Sequence, residues 1–119
     1  FVGRTGYHIS SKGIQTYDPK LGNEVDYLGM FFFFSSKKNF DLIGLLSEDY
    51  GLAYWEDVDY GMRILQKGLK SYVASFSIIH HACATAKLLD PEILAERCSG
   101  KNKDLFLSRW KTFLESRNK

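Results

Sequence analysis

Residues 54–63 read YWEDVDYGMR, so two aromatic side chains precede three carboxylates that fall within four positions. Neighbouring carboxylates repel one another and are costly to bury, which makes Glu56, Asp57 and Asp59 candidates for a site that needs negative charge. The same residues also suit the first turn of a helix running to about Lys67, because acidic side chains favour the positive end of the helix dipole. Taken alone, the carboxylates favour this second, structural interpretation.

The composition limits the kinds of protein that this chain can be. With 119 residues, 45% of them hydrophobic and 25% charged, the sequence predicts one globular domain with a modest core. A formal net charge of +2 is too small to indicate binding to nucleic acid. No apolar run approaches the roughly 20 residues of a membrane span, and Cys83 and Cys98 lack a metal-binding spacing. We therefore expect a cytoplasmic chain without a membrane span.

Strands are predicted in the part of the chain that precedes the acidic segment. Residues 1–9 resemble a strand with glycines, and residues 10–24 form turns around a short strand at 14–17, which suits a hairpin. Residues 25–34 are aromatic and almost continuously apolar, as expected for a central strand that is buried on both faces. Gly29 interrupts this strand and indicates either a bulge, a close approach of backbone to a ligand, or a packing glycine.

Helix signals follow. The serine pair at 35–36 predicts a cap for a short helix over residues 37–43, which Gly44 ends. Residues 45–53 are expected to form a loop that leads into the acidic helix. Residues 71–80 alternate imperfectly between apolar and polar side chains and predict a strand.

The end of the chain predicts two helices. Asp90 and Pro91 are typical of a helix start, and this helix should continue to about Cys98. A second helix over residues 103–117 carries apolar side chains near helical spacing, which favours packing against the domain or a partner. The Arg109-Trp110 pair is interpreted as part of this helix core.

Several motifs occur in a fixed order around the acidic segment. They are YLGM at 27–30, four phenylalanines at 31–34, NFDLIG at 39–44, YWEDVD at 54–59, Arg63, Gly68 and IIHH at 78–81. This order resembles the second half of a glycosyltransferase family 2 domain, which has the GT-A fold and combines an acidic helix start with a later arginine, glycine and histidine-ended strand. The resemblance covers about residues 1–85. Leu45-Leu46 departs from it, because the family usually has a glycine and a phenylalanine there.

The resemblance implies a fold class and an activity. The fold would be a partial GT-A, Rossmann-like α/β domain over residues 1–89, with a mixed sheet flanked by helices, followed by a helical tail over residues 90–119. The activity would be that of the acceptor-binding, catalytic-base half of an inverting glycosyltransferase. Such an enzyme moves a sugar from a nucleotide-sugar donor to a hydroxyl of a glycan or lipid-linked acceptor, in polysaccharide or glycoconjugate synthesis.

The family's nucleotide-binding half, with its Asp-x-Asp motif, precedes this part of the domain, and no such motif occurs here before Asp18. We therefore expect a fragment that is inactive by itself. In the cell it would be cytoplasmic, or brought to a membrane by its acceptor.

The resemblance implies chemical roles for two residues, Asp57 and His80. Asp57 matches the aspartate that acts as general base and removes the proton of the acceptor hydroxyl as its oxygen attacks the sugar. His80 matches a histidine that helps to hold the divalent cation, Mg²⁺ or Mn²⁺, at the donor diphosphate, and His81 is the weaker choice. On general grounds, a histidine at a strand end is more often a surface or hydrogen-bonded residue.

The other candidates would surround the substrate. They are Glu56, Asp59, Trp55, Tyr54, Gly29, Met30 and Arg63. Glu56 and Asp59 would orient the acceptor or hold neighbouring backbone. Tyr54 and Trp55 would stack on a sugar ring or else belong to the core. An ion pair that anchors the acidic helix is the favoured role of Arg63, over contact with the diphosphate.

The alternative to an enzyme is a small, non-catalytic α/β interaction domain. It would associate with itself through residues 31–34 and the terminal helix. A homo-oligomer is expected in either case, because a partial domain exposes a sheet edge and an apolar face.

Overall fold

The computed structural model describes residues 1–51, 53–79, 88 and 90–117, and it has a mixed α/β fold with two sheets. The strands are β1 (Val2–Gly3), β2 (Gly6–Ile9), β3 (Gln15–Thr16), β4 (Glu24–Val25), β5 (Tyr27–Leu28), β6 (Phe33–Phe34) and β7 (Ser71–Val73). The helices are α1 (Lys37–Ile43), α2 (Glu56–Gln66), α3 (Pro91–Ala95) and α4 (Asn102–Arg117). Single 3-10 turns form at Pro19–Leu21 and Glu48–Tyr50, and a π-helical stretch, Glu96–Lys101, joins α3 to α4.

The strands of the first part of the chain are distributed over both sheets. One has the order β4-β7-β1-β6, in which β1 and β7 are parallel and the other pairs antiparallel. The other has the antiparallel order β3-β2-β5. The chain passes between the sheets four times: after β1, after β3, at Asp26 between β4 and β5, and after β5. The predicted hairpin is confirmed by the pairing of β2 with β3.

The continuous central strand predicted over residues 25–34 is wrong. Its residues form three short strands in two sheets, and β6 lies at a sheet edge with Phe34 51% exposed. The physical reason is Asp26, whose buried carboxylate accepts hydrogen bonds from the backbone of Ile9 (2.8 Å) and from the guanidinium of Arg117 (2.8 Å). These partners hold the chain at the crossing between sheets, which an apolar pattern does not reveal.

The strand predicted over residues 71–80 is also too long. Only Ser71–Val73 forms β7, and the part from 74 to 79 is irregular. The backbone N–H of Ala74 still donates to Gly3 (2.9 Å), but β1 ends at Gly3 as the chain turns toward the other sheet. Beyond that point β7 loses the partner that a longer ladder needs.

The predictions of α1, α2 and α4 are confirmed, whereas α3 ends at Ala95 and is followed by the π-helical stretch instead of continuing to about Cys98. In α1 the hydroxyl of Ser36 accepts from the N–H of Asn39, and the helix ends at Gly44, whose φ of 87° suits glycine. Asp90 caps α3 in the same way, with Pro91 in its first turn. Among the described helices, none is long and apolar enough to cross a membrane.

Helix α2 lies between two hydrophobic cores. Val58 and Met62 face one core, which α4 completes with Phe106, Trp110 and Leu114. On the other side, α2 faces a second core beneath the four-stranded sheet, whose buried members are Phe1, Val25, Leu28, Ile43, Tyr60 and Ile64. With apolar faces on both sides, α2 is the element against which sheet and terminal helix pack.

The contact between α2 and β5 depends on a glycine. A Cβ atom at Gly61 would overlap the side chain of Tyr27 and lie 2.7 Å from the carbonyl oxygen of Asp26. Because only a hydrogen fits there, the helix approaches the strand closely enough for Tyr27 to lie beside its acidic first turn.

Candidate active site around Asp57

The chain enters α2 through two strained residues. Tyr54 and Trp55 have φ values of 73° and 77°, in the left-handed region that glycine prefers. Bulky side chains adopt it at a cost of about 1–2 kcal/mol per residue. Trp55 precedes the helix but provides no side-chain cap for its free N–H groups. Strain of this kind persists only where the surrounding structure imposes it, and it is often found at functional sites.

Asp57 lies at the edge of a pocket. The pocket has a volume of about 270 Å³ and is lined by Gln15, Tyr27, Tyr54, Trp55 and Asp57. One oxygen of Asp57 accepts the N–H of Val58 at 2.8 Å. Burial, reinforced by the nearby charge of Glu56, raises the pKa of Asp57 to about 6, although backbone hydrogen bonds oppose the shift. At neutral pH this carboxylate is therefore ionised and more basic than an ordinary aspartate.

The aromatic side chains that line the pocket are Tyr27, Tyr54 and Trp55. Burial, followed in importance by the charge of Asp57, raises the pKa of the Tyr27 phenol, so its hydroxyl stays protonated. Tyr54 is 37% exposed at the pocket. Trp55 is buried and packs on Phe106, with ring centroids 5.1 Å apart, so it belongs to the core while also lining the pocket. Apolar rings with a few polar groups form the kind of surface that binds sugar rings and similar ligands.

Asp59 has entirely different surroundings from Asp57. It is 2% exposed, and its Oδ1 accepts hydrogen bonds from the hydroxyl of Tyr50 (3.0 Å) and the indole N–H of Trp110 (2.7 Å). The guanidinium of Arg109 lies 3.6 Å from the same oxygen. Asp59 therefore ties α2 to α4 within the core and does not belong to the lining of the Asp57 pocket.

Arg63 also contacts Asp59. Its Nε lies 3.2 Å from Asp59 Oδ2, an ion pair that lacks hydrogen-bond geometry, and its Nη1 donates weakly to the carbonyl of Ile43 at 3.4 Å. The guanidinium also lies 4.8 Å from the centroid of the Tyr60 ring. These contacts correspond to the anchoring ion pair that the sequence favours for Arg63.

Three further candidates lie outside the lining of this pocket. Glu56 is half-buried beside Asp57, and its Oε2 is buried without a hydrogen bond from the part of the chain that the structure describes. The N–H of Gly29 donates to the carbonyl of Thr5 (2.9 Å), and a Cβ there would meet Phe31 at an ordinary 3.5 Å. Met30 packs against the second core.

The predicted cation ligand cannot be placed. His80 and His81 lie outside the described residues. Within residues 1–51, 53–79, 88 and 90–117, no three His, Cys, Asp or Glu side chains come together in a way that could hold a metal ion.

Sequence reasoning missed several members of the site. Gln15 and Tyr27 line the pocket, but a glutamine in a hairpin and a tyrosine in an apolar run carry no distinctive signal. Asn102 was also missed, although its side chain contacts the loop before Asp57. The sequence predicts that Trp110 belongs to a helix core, which is correct for its ring, but its indole N–H also donates to Asp59.

Comparisons of the chain with models of protein families, with curated proteins and with solved structures found no match.

Proposed function

We propose that this chain is the acceptor-binding, catalytic-base half of an inverting glycosyltransferase of GT-A fold, with Asp57 as the base. The observation that carries the proposal is the raised pKa of Asp57, about 6, in a pocket walled by aromatic rings. A general base works best when its pKa is near the working pH, and an ordinary exposed aspartate, with a pKa of about 3.9, is about three units too acidic at neutral pH. The order of sequence motifs supports the same assignment.

The proposed reaction is a single displacement. Asp57 takes the proton from an acceptor hydroxyl while that oxygen forms a bond to the anomeric carbon of the donor sugar. The bond from that carbon to the diphosphate oxygen breaks on the opposite face, and the electron pair leaves with the nucleotide diphosphate. Inversion at the anomeric carbon follows from this in-line geometry.

The pocket would bind the sugar that carries the attacking hydroxyl. Its volume of about 270 Å³ is close to the roughly 300 Å³ at the lower end of small-molecule sites, which suits one sugar ring of a glycan or lipid-linked acceptor. Tyr54, which is 37% exposed, would stack its ring on the sugar, and the side chains of Gln15 and Tyr27 would provide hydrogen-bonding groups for hydroxyls.

The remaining elements of the proposal come from the resemblance. They are a nucleotide-sugar donor held by a preceding half-domain, a cytoplasmic location and a Mg²⁺ or Mn²⁺ ion with His80 as ligand. The part proposed for Asp57 does not depend on that ion, because the proton that it accepts comes from the acceptor hydroxyl.

The test is Asp57→Asn in a protein that joins this chain to its nucleotide-binding half. Asparagine keeps the shape but cannot accept a proton, so turnover should fall by the roughly 10²–10⁴-fold that general-base catalysis contributes, while donor binding persists. Glu56→Gln is the control, and its turnover should change less. Near-normal turnover of Asp57→Asn would refute the assignment of the base. The 119-residue chain alone should turn over no sugar nucleotide.

One observation favours the alternative function of a self-associating interaction domain. Phe32, Phe34 and Phe76 contact one another at the edge of the four-stranded sheet, with Phe32 and Phe76 ring centroids 5.4 Å apart, and Phe34 is half exposed. Exposed aromatic clusters at sheet edges are typical of interaction surfaces. Sedimentation should then show a dimer that Phe34→Ser converts to a monomer. A monomer at high concentration would contradict this function.

A further inference from the structure

The side chain of Asn102 makes an unusual set of contacts. Asn102 is the first residue of α4 and is fully buried. Its amide nitrogen lies 2.9 Å from each of three carbonyl oxygens, those of Tyr50, Ala53 and Tyr54. Because an amide nitrogen carries two hydrogens, at least one of them is shared between two carbonyls. A single side chain thus gathers three carbonyl groups of the loop that leads to Asp57.

The orientation of this amide is determined by its surroundings. If the amide were reversed, its oxygen would face three carbonyl oxygens, and all four acceptors would repel one another. In the observed orientation, Oδ1 is buried without a partner among the described residues. Burying an unpaired acceptor costs free energy, so the hydrogen bonds donated by the amide nitrogen must offset that cost.

The loop needs this support because of its backbone. The carbonyl oxygen of Tyr54 accepts a hydrogen bond from Asn102, and Tyr54 is one of the two residues with positive φ. Arg97 adds a hydrogen bond from Nη1 to the carbonyl of Tyr50 at 3.3 Å. Tyr54 and Trp55, the two strained residues, line the pocket beside Asp57.

We infer that Asn102 is a positioning residue: it holds the strained loop that lines the pocket of the proposed base, although it does not touch that pocket. The inference rests on the proposed function for the meaning of the pocket, and it makes the terminal helix part of the acceptor site. Without the three hydrogen bonds, Tyr54 and Trp55 would relax toward ordinary backbone conformations, and water would reach Asp57.

The experiment is an NMR titration of the Asp57 carboxyl carbon in the 119-residue chain, comparing the unaltered chain with Asn102→Ala. The pKa of Asp57 should be about 6 in the unaltered chain, and it should fall by about 1 unit in Asn102→Ala, because hydration removes part of the desolvation that raises it. Asn39→Ala is the matched control. Its amide donates to Ser35 (2.7 Å) at the start of α1, and its loss should leave the pKa of Asp57 unchanged.

Circular dichroism of each variant shows whether it is folded. If Asn102→Ala does not fold, Asn102→Ser, which keeps one donor, should fold and lower the pKa by a smaller amount. An unchanged pKa in a folded Asn102 variant would overturn the inference, as would an ordinary pKa of Asp57 in the unaltered chain. Unfolding of both variants would also overturn it, because Asn102 would then support the whole fold. The titration uses no substrate, so its outcome is separate from the turnover test of Asp57→Asn.

Discussion

Asp57 and Asp59 are two positions apart in α2, yet one faces a pocket and the other lies in the core. Asp57 has a backbone N–H as its nearest donor, at 2.8 Å, and no cation balances its charge in the contacts described above. Asp59 is enclosed by a phenol, an indole and two guanidinium groups. Two chemically identical side chains therefore have opposite consequences: the folded state tolerates one at a cost and depends on the other.

The largest expected effect is that of Asp59→Asn on stability. This change removes the charge that balances Arg63 and Arg109 and leaves buried donors poorly matched, so the free energy of unfolding should fall by about 3–5 kcal/mol. Urea denaturation followed by circular dichroism measures it. A loss below about 1 kcal/mol, as for a surface ion pair, would contradict the role of Asp59 as the link between α2 and α4.

Asp57→Asn should act in the opposite direction. The pKa of Asp57 is about 6 in the folded chain against 3.8 ordinarily, so the folded state binds the proton more tightly than the unfolded state. The contribution of Asp57 to the free energy of unfolding is therefore fully present below about pH 4 and is lost as the pH rises through about 6. Above about pH 6, Asp57→Asn should be more stable than the unaltered chain, with a free energy of unfolding up to about 3 kcal/mol higher.

Urea denaturation of both chains from pH 4 to pH 8 isolates this contribution, because other groups titrate equally in each. Equal stability of the two chains across the whole range would show that Asp57 is not destabilised by burial. It would also remove the difference between the two aspartates.

The next effect concerns the contact that brings Tyr27 beside the acidic turn. In Gly61→Ala the added methyl group overlaps Tyr27, which should lower the free energy of unfolding by about 2 kcal/mol and displace α2 from the pocket wall. Gly29→Ala is the control, because a Cβ there has ordinary contacts, and its cost should stay below about 1 kcal/mol. If both variants were equally stable, the close approach of α2 to β5 would be wrong.

The smallest effect tests the strained entry to α2. Tyr54→Gly and Tyr54→Ala both remove the ring, but glycine relieves the positive φ while alanine does not. The glycine variant should therefore be the more stable by about 1 kcal/mol. Thermal denaturation compares the two, and a more stable alanine variant would contradict the strain at Tyr54.

Local signals explain which parts of this fold are predictable from sequence. The helices α1 and α3 begin at Ser36 and Asp90, which cap the backbone a few residues away, and α1 ends at Gly44. The strand predictions failed where the contacts come from residues far away in the sequence. Asp26 interrupts the apolar run because Arg117, 91 residues away in the chain, contacts it.

The candidate site divides in the same way. Asp57 is recognisable because its neighbours in the chain form a motif, whereas its surroundings depend on Gln15 and Tyr27 from the sheets. Asn102, 48 residues after Tyr54, looks like an ordinary helix residue until its carbonyl partners are known.

The contacts of α4 have a consequence for a chain that is still being synthesised. Asn102 donates to the loop before Asp57, Trp110 donates to Asp59, and Arg117 donates to Asp26, so α4 makes all three contacts. Contacts this far apart in sequence form late, because the intervening chain must first be ordered. Until α4 emerges from the ribosome, the strained entry to α2 would lack the hydrogen bonds from Asn102. The site would therefore acquire its chemistry only when α4 emerges and docks.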